Sequence, residues 1–488
     1  MSLFLQFKER RIVERQYGDM KQNLEEAQRC ISCKVPLCEK GCPVNTEIRD
    51  IIKLYKDNKM LSAGDKLFKN NPLSIVCSLV CPHEKQCEGS CVLAKRGTGV
   101  KFGAIENEIS KKYIESLDFR IHRTENKRSK VAIIGGGPAG ITIAFVLTFK
   151  GYDVTIFEIN PKIGGVMRYG IPEFRLSNKI IDKLEEKLIE IGVKIRPNVI
   201  IGPTLTVDNL ISDGYSAVFI GTGTWNPRKL GIKGESLGNV HFAIDYLRSP
   251  DNFHIGKKVY IIGAGNVAVD VGRTMLRKGI ESVTLVNREG DEGITANKKE
   301  FDEGQYEGMK ILNYKTPLEI TDDGIILAPT KIIENEDGEL TYTYNEKEKE
   351  FHEVDTIIIA VSQGPRSNIV SRDKEIKVDD RGLIVTRADG STTKDGVFSG
   401  GDVVTGARTV VEAVKGAKNI AEKMDEYLII KEKEEIEKNK IIENNQYGEV
   451  IRTVEALHEK KLSQIADMIK EKKKRVVLIA APSSSGKT

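Results

Sequence analysis

The sequence predicts an α/β protein in which a helical N-terminal region precedes two Rossmann-like domains. Three observations support this prediction. All eight cysteines lie before residue 92, a strand, glycine turn, helix and second strand run over residues 131–160, and the same layout returns from residue 258. With 488 residues the chain is long enough for about three domains of roughly 150 residues each.

Composition narrows the class of protein. The net charge of +4 is close to balance, which argues against nucleic acid and charged membrane surfaces as partners. No apolar run approaches the eighteen or more residues of a membrane span, and the apolar part of MSLFLQFKERR is too short for a signal peptide. We therefore expect a cytoplasmic protein without membrane segments, where cysteines serve metal or redox chemistry more often than structural disulfides.

The first glycine motif predicts a dinucleotide site. Gly135, Gly137 and Gly140 form G-x-G-x-x-G directly after the apolar strand VAII, and Glu158 ends the next strand. In this setting the glycines allow a tight turn, close approach of a pyrophosphate and helix packing, while the helix N-terminus favours phosphate charge. Glu158 is then expected to accept a hydrogen bond from a ribose hydroxyl. The alternative is a glycine-rich turn in an ordinary α/β core.

The cysteines form two compact groups that predict metal centres. The first is CISCKVPLCEKGC and the second is CSLVCPHEKQCEGSC, and a proline follows Cys42 and Cys81. Short spacings with proline beside a ligand cysteine resemble bacterial ferredoxin sequences, so we expect iron–sulfur clusters. Structural zinc is the main alternative, and inert thiols are a lesser one.

Three further glycine motifs fit the same first dinucleotide. Gly164 and Gly165 allow backbone to lie close to a bound ring or phosphate. Gly223 ends G-T-G after an apolar strand, a pattern that closes flavin domains against their cofactor. Asp402 follows Gly401 and is expected at a strand end that faces a ribityl or pyrophosphate group. Taken singly, each of these motifs is also consistent with a plain turn.

The second unit predicts a nicotinamide coenzyme. Gly263, Gly265 and Ala268 repeat the motif, and the following strand ends in Asn287, Arg288 and Glu289 without an acid at the ribose position. An arginine there suits a 2'-phosphate, which favours NADPH over NADH. Arg288 could equally be a solvated surface charge, and the carboxylates that follow it would repel a phosphate.

The tail has a different composition. KEKEEIEKNK is dominated by charged residues and is typical of a solvated helix or a linker, and an amphipathic helical stretch follows it. The end of the sequence, RVVLIAAPSSSGKT, contains Gly486, Lys487 and Thr488 of a phosphate-binding loop, but Ala481 replaces its first glycine. Because no helix follows the loop to hold phosphate, we expect no nucleotide turnover.

The order of motifs, together with YGIPEFRL and GGDVVTGA, resembles the small (beta) subunit family of NADPH-dependent glutamate synthase over about residues 20–428. Related proteins are the flavin subunit of NADH-dependent ferredoxin:NADP oxidoreductase, sulfide dehydrogenase flavoproteins and the N-terminal half of dihydropyrimidine dehydrogenase. Residues 447–488 resemble a fragment of a uridine kinase-like protein. The resemblance implies a 4Fe-4S domain (1–125), an FAD domain in two parts (126–250 and 366–428), an NAD(P)H domain (251–365) and a charged helical tail (429–488).

The resemblance also implies ligands for two 4Fe-4S clusters. One cluster would be held by Cys30, Cys33, Cys38 and Cys91. The other would be held by Cys42, Cys81, Cys87 and a non-cysteine ligand in VKFGAIENE, where Glu106 matches. Reading four cysteines of one group per cluster would give a different division, and Cys77 is the second choice to Glu106.

The expected function follows from these cofactors. The chain would take electrons from NADPH (or NADH) through FAD to the clusters and on to a partner, most simply a glutamate synthase large subunit, in glutamate biosynthesis. Hydride transfer to a flavin needs no acid or base, so no catalytic side chain is nominated. The alternatives are a ferredoxin-linked transhydrogenase or sulfide dehydrogenase subunit, a kinase-linked regulatory binding protein and a non-catalytic scaffold.

Overall fold

The computed structural model describes residues 20–116, 118–122, 124, 129–334, 340–443 and 447–471. The chain divides into two compact units, residues 1–425 and residues 426–488. None of the helices in the described ranges combines the length and the apolar character needed to cross a bilayer.

The N-terminal region is helical, as predicted. Its helices are α1 (Met20–Gln28), α2 (Leu37–Gly41), α3 (Ile48–Lys56), α4 (Met60–Asn70), α5 (Ser74–Val80) and α6 (Phe102–Ser116). Helix α3 shows why they pack together, since its apolar residues recur at helical spacing and Ile48, Ile51, Ile52 and Tyr55 are all buried. They share a core with Ile105 and Ile109 of α6. The cysteines lie around this core on loops and short helices, with Cys77 inside α5.

Two α/β domains follow, with their elements numbered in chain order. The first stretch holds β1 (Lys130–Ile134), α7 (Pro138–Phe149), β2 (Asp153–Phe157), α8 (Val166–Tyr169), α9 (Asn178–Glu190), β3 (Lys194–Arg196), α10 (Val207–Ser212), β4 (Tyr215–Ile220) and β5 (Asn226–Pro227). The second holds β6 (Val240–Phe242), α11 (Ala243–Arg248), β7 (Lys258–Ile262), α12 (Asn266–Arg277), β8 (Ser282–Val286), α13 (Lys298–Tyr306) and β9 (Lys310–Leu312).

The remaining elements complete these domains and the tail. They are β10 (Lys315–Thr321), β11 (Gly324–Glu334), β12 (Leu340–Tyr344), β13 (Glu350–Glu353), β14 (Thr356–Ile359), β15 (Gln363–Gly364), β16 (Val397–Ser399), α14 (Asp402–Thr405), α15 (Val410–Glu443) and α16 (Tyr447–Glu471). Helix α15 begins in the first unit, and α16 belongs to the second.

The first parallel sheet has the order β16-β4-β1-β2-β3. Its central strands are apolar and buried, as expected for a parallel sheet covered on both faces. Ile134 is in register with Phe157 and Ile220, so these strands end together at one edge. The glycine turn after β1, Glu158 after β2 and the G-T-G after β4 therefore lie side by side.

The second parallel sheet has the order β6-β14-β7-β8-β9. Since β16 returns to the first sheet after β14, the first domain is interrupted by the second, as the fold class predicted. The edge strand β6 starts at residue 240, ahead of the predicted boundary at 251, because the domain takes this strand from before its glycine motif. The segment between β9 and β14 forms a separate antiparallel sheet from β10 to β13.

Candidate cofactor sites

A cleft opens at the carboxyl edge of the first sheet, with about 1280 Å³ of empty space including its open mouth. It is lined by the turn after β1, the end of β2, the G-T-G segment and the start of α14. The turn depends on glycine: Gly135 has φ +102°, and a Cβ there would lie 2.6 Å from the carbonyl oxygen of Gly221. A Cβ on Gly140 would lie 2.0 Å from the carbonyl oxygen of Gly135.

The floor of this cleft is bare backbone. Gly137 is the N-cap of α7, and a Cβ on Gly165, which has φ +51°, would lie 2.7 Å from the Gly137 Cα. The neighbouring Gly164 donates its backbone N–H to the Gly136 carbonyl at 2.7 Å. The helix N-terminus is thus left open toward the cleft, where it can receive a pyrophosphate.

Glu158 lies in this cleft, and its carboxylate hydrogen-bonds two of the segments that surround it. One carboxylate oxygen accepts from the Gly136 backbone N–H at 2.8 Å, and the other accepts from the backbone and side-chain N–H groups of Asn160. The oxygen bonded to Gly136 accepts only this one of these bonds and has a further lone pair, so the predicted bond to a ribose hydroxyl is chemically open there.

The far end of the cleft is built by Asp402 and Gly223. Asp402 begins α14 and accepts the backbone N–H of Arg408 at 3.2 Å. Burial raises the pKa of this carboxyl to about 6, with nearby Glu412 adding to the effect. Gly401 directly precedes Asp402 and has φ +74°. Gly223 lines the same cleft and lies next to Trp225. The position of Asp402 at a strand end agrees with the sequence-based expectation.

A second, wider cleft lies at the carboxyl edge of the second sheet. Its floor is the turn after β7, where Gly263 has φ +126° and Gly265 is the N-cap of α12. Ala268 lies beneath the cleft, fully buried in the core of the domain, where it allows α12 to pack closely. The arrangement repeats the phosphate-receiving helix N-terminus of the first cleft.

Arg288 lines the second cleft just after β8. Its guanidinium Cζ lies 3.9 Å from the ring centroid of Tyr342 on β12, and its side chain is 57% exposed. Glu289 contacts both residues: its Oε1 accepts the Tyr342 hydroxyl at 2.7 Å and lies 3.6 Å from the Arg288 Nε, within ion-pair distance. Tyr342 was not predicted, since its strand lies some fifty residues further along the chain.

The two clefts share a wall. Both are lined by Val166, Ile244, Gln363, Asp402 and residues 408–410. The wider cleft also reaches Val80 and Pro82, which flank Cys81 in the helical region. Rings bound in the two clefts would therefore meet at this wall, with a cysteine group next to them.

The first cysteine set surrounds a small cavity in the helical region. Cys30, Cys33, Cys38 and Cys91 all line it, together with Cys87. Burial raises the pKa of the Cys38 thiol to about 11, and Cys91 adds to the effect. Thiolates are the ligands of 4Fe-4S clusters, so the cysteines of this cavity supply suitable donor chemistry, and Cys87, which was expected at the other cluster, lines the same cavity.

The second set is more deeply buried. Burial raises the pKa of the Cys87 thiol and of the Glu106 carboxyl well above their usual ranges. Burial also raises the pKa of the Cys42 thiol, and the hydrogen bond with Cys77 together with burial raises that of the Cys81 thiol, with Glu106 adding to both effects. Because each of these groups disfavours the charge of the others, the set as it stands favours protonated ligands. A cationic metal centre bound here would lower these pKa values and hold the ligands deprotonated.

Cys77 lies beside this second set. It is buried, its thiol contacts Cys81 and Asn71, and the contact with Cys81 lowers its pKa. The structure therefore brings Cys77 and Glu106 to the same place, and both stay candidates for the eighth ligand. Gly486, Lys487 and Thr488, and with them the phosphate-loop prediction and the uridine kinase resemblance, lie outside the described residues.

Some contributors to the two clefts could not be read from motifs. Trp225, Gln363 and Arg366 line the first cleft, and Arg175 and Arg228 line the second. Arg175 belongs to the segment YGIPEFRL, which contributed to the family resemblance but indicated no role for this arginine. Gln363 and Arg366 follow the apolar strand β14, and the carboxyl end of such a strand is where site residues of parallel sheets collect.

Comparison with known proteins agrees with this architecture. Residues 7–117 match the family described as dihydropyrimidine dehydrogenase domain II, 4Fe-4S cluster, and residues 129–417 match the pyridine nucleotide-disulphide oxidoreductase family. A solved structure of Mycobacterium tuberculosis FprA in complex with NADPH shares the fold, with a TM-score of 0.55 and 17% identity over 63% of this chain and 86% of that one.

Two groups of relatives match this chain over nearly the whole of their own length. The NADPH glutamate synthase small chain of Halomonas elongata is 31% identical over 83% of this chain and 90% of that protein. The PreT subunit of NAD-dependent dihydropyrimidine dehydrogenase of Salmonella typhimurium is 32% identical over 83% of this chain and 94% of that protein. The chain thus belongs to the pyridine nucleotide-disulphide oxidoreductases, in the group that carries an N-terminal 4Fe-4S domain and includes glutamate synthase small chains, and it is an NAD(P)H-dependent flavin and iron–sulfur oxidoreductase.

Proposed function

We propose that this chain is the electron-input subunit of an NADPH-dependent glutamate synthase and delivers electrons to a large subunit that makes glutamate. The observation that carries the proposal is the continuity of the sites. The second cleft shares its wall with the first and reaches the residues on either side of Cys81.

The residues of the two clefts have different roles according to where they lie. The open N-termini of α7 and α12 favour the phosphates of the two dinucleotides, and Glu158 and Asp402 orient the first of them. Bound FAD supplies a two-electron acceptor for the hydride of the nicotinamide, and bound clusters carry electrons onward one at a time. Because the same residues line both clefts, rings bound in them would lie next to each other at the shared wall.

The absence of cysteines after Cys91 supports an exit through the clusters. A disulfide reductase of similar build needs a redox-active cysteine pair beside its flavin. Here Gly223, Trp225 and Gln363 occupy that cleft instead. Electrons from the flavin are therefore passed to the helical region rather than to a protein disulfide.

NADPH is the proposed coenzyme because Arg288 presents an exposed guanidinium at the edge of the second cleft. The ring of Tyr342 supports it from below, and Glu289 is bound to the Tyr342 hydroxyl. Arginine is well suited to a 2'-phosphate because its planar fork can donate two parallel hydrogen bonds.

The partner is tested by reconstitution. The purified chain is mixed with a glutamate synthase large subunit, glutamine and 2-oxoglutarate, and glutamate formation is followed with NADPH as the only electron source. We expect two glutamates for each NADP⁺, one from glutamine and one from reductive amination of 2-oxoglutarate, and no NADPH-dependent glutamate when either chain is omitted. Oxidation of NAD(P)H with a pyrimidine or with a ferredoxin, and no glutamate, would assign the chain to a dihydropyrimidine dehydrogenase or a ferredoxin-linked enzyme instead.

A further inference from the structure

The segment YGIPEFRL makes the principal polar contact between the flavin-binding and nicotinamide-binding domains among the described residues. Arg175, from the flavin side, donates one guanidinium nitrogen to both carboxylate oxygens of Asp270 on α12, at 2.7 Å each. Its other terminal nitrogen donates to Glu300 on α13. All three side chains are at least 88% buried. A single arginine thus joins two helices of one domain to a loop of the other.

The preceding residue strengthens the same contact. The ring of Phe174 lies beneath two arginines of α12, with centroid distances of 4.0 Å to the Arg277 Cζ and 5.1 Å to the Arg273 Cζ. Both arginines are held by Glu307, at 2.6 Å and 2.9 Å. This cation–π contact adds apolar surface to the ion pairs, so the loop is fixed by two adjacent side chains with different chemistry.

The contact lies at the second cleft rather than behind it. Arg175 and Asp270 both line that cleft, and Asp270 is one turn from the N-cap of α12, where the coenzyme phosphates are expected. The same loop begins at Gly170, which also lines the cleft, and follows α8, whose Val166 belongs to the wall shared with the flavin. We therefore expect a change in this contact to shift the nicotinamide side of the wall relative to the flavin side.

We propose that Arg175 and Asp270 are positioning residues for hydride transfer: their ion pair holds the nicotinamide-binding domain at the distance from the flavin-binding domain that the reaction requires. In that reaction the hydride leaves C4 of the nicotinamide with two electrons and bonds to N5 of the flavin, so the coenzyme is oxidised and the flavin reduced. Reacting atoms must come within about 3–3.5 Å, and a misplacement of about 1 Å costs on the order of 100-fold in rate. The inference is independent of the final electron acceptor.

A matched set of variants tests this role. Arg175→Lys keeps the positive charge but loses the pair of guanidinium nitrogens that bond Asp270 and Glu300. Arg175→Gln loses the charge and these nitrogens, and Asp270→Asn removes the negative charge that faces Arg175. The control is Lys394→Gln, which breaks a buried ion pair with Asp373 inside the flavin domain, away from both clefts. Four quantities are measured: FAD per chain, the Kd for NADPH, the single-turnover rate of flavin reduction, and hydrogen exchange of residues 266–277 without coenzyme.

We expect FAD content and the Kd for NADPH to stay within about threefold of the native protein in the Arg175 and Asp270 variants. Flavin reduction should slow by roughly 10- to 100-fold, in the order native, Arg175→Lys, Arg175→Gln, and exchange over α12 should rise in the same order. Lys394→Gln should leave both the rate and the exchange of α12 unchanged.

Two results would overturn the proposal. A native reduction rate in a flavin-loaded Arg175 variant shows that the contact only stabilises the fold. A rate loss that tracks an equal loss of NADPH affinity, with unchanged exchange over α12, makes Arg175 a coenzyme contact rather than a positioning residue. Should Arg175→Gln not fold with flavin, Arg175→Lys and Asp270→Asn decide between these outcomes by the same measurements.

Discussion

The guanidinium of Arg288 lies over the ring of Tyr342, with 3.9 Å between its Cζ and the ring centroid. The tyrosine hydroxyl, at the same time, donates to Glu289 at 2.7 Å. A residue of the inserted antiparallel sheet thus supports the cation next to the coenzyme cleft and engages the carboxylate that would oppose it. The Glu289 carboxylate nevertheless lies 3.6 Å from the Arg288 Nε, so it competes with a phosphate for this guanidinium.

Arg288→Ala tests the choice of coenzyme. We expect the Kd for NADPH to rise about 10- to 100-fold, because charge-assisted hydrogen bonds to the 2'-phosphate are lost. The Kd for NADH should change by less than about threefold. Titration of the oxidised protein with NADP⁺ and NAD⁺, which differ by the same phosphate but cannot reduce the flavin, measures this effect, with Tyr342→Phe as a control that keeps the ring. Equal losses for the two coenzymes would remove Arg288 from the 2'-phosphate.

The eighth cluster ligand is tested by comparing Glu106→Ala with Cys77→Ala. We expect Cys77→Ala to keep about eight irons per chain, and Glu106→Ala to lose or alter the second cluster, because the buried carboxyl lies among Cys42, Cys81 and Cys87. Cys38→Ser serves as the reference for loss of the first cluster and should keep its FAD. Iron and sulfide analysis with low-temperature EPR separates the cases. If Cys77→Ala lost iron and Glu106→Ala did not, the ligand assignment would be reversed.

Gly140→Ala tests the first glycine turn. A Cβ at this position meets the Gly135 carbonyl oxygen at 2.0 Å, so the turn must move and FAD affinity should fall by at least about tenfold, with a loss of about 1–3 kcal/mol in stability. Gly416→Ala is a matched control, because it is also a helical glycine but its Cβ would meet nothing within 4 Å. That variant should bind FAD normally and gain up to about 1 kcal/mol. Normal FAD binding by Gly140→Ala would contradict the close packing of the turn.

The stability of the flavin-free protein should depend on Asp402 and on pH. Burial raises the pKa of Asp402 to about 6 in the folded state, above its ordinary value near 4, so the folded state binds the proton more tightly than the unfolded state. Its contribution therefore favours folding at low pH and is lost as the pH rises from about 4 to about 6. Asp402→Asn should stabilise the flavin-free protein by about 1–3 kcal/mol at pH 7 and by little at pH 4. Chemical denaturation at several pH values measures this, and a pH-independent difference would contradict the burial of the charge.

Much of the fold followed from local pattern. The two glycine motifs were recognisable because strand, turn and helix are consecutive in the chain, and the interrupted domain order followed from the resemblance. The edge strand β6 precedes its glycine motif and carries no local signal that distinguishes one sheet from the other, so the boundary at 251 was placed too late.

The sites were predictable where chemistry and spacing coincide, as for Gly135, Gly263 and the cysteines. Residues that join a site through long-range packing could not be predicted from the sequence. Tyr342 reaches Arg288 through a hairpin whose register depends on β11, and Arg175 acquires its role only by meeting Asp270 on another domain. No periodicity in the chain encodes such pairs.

The central claim is that NADPH delivers electrons through one flavin to two clusters in this single chain. The direct measurement is an anaerobic titration of the purified protein with NADPH, followed by absorbance, after iron, labile sulfide and FAD have been counted. We expect about eight irons per FAD and loss of both flavin and iron–sulfur absorbance. Flavin bleaching in a protein without iron, or iron–sulfur absorbance that NADPH leaves unchanged, would contradict it.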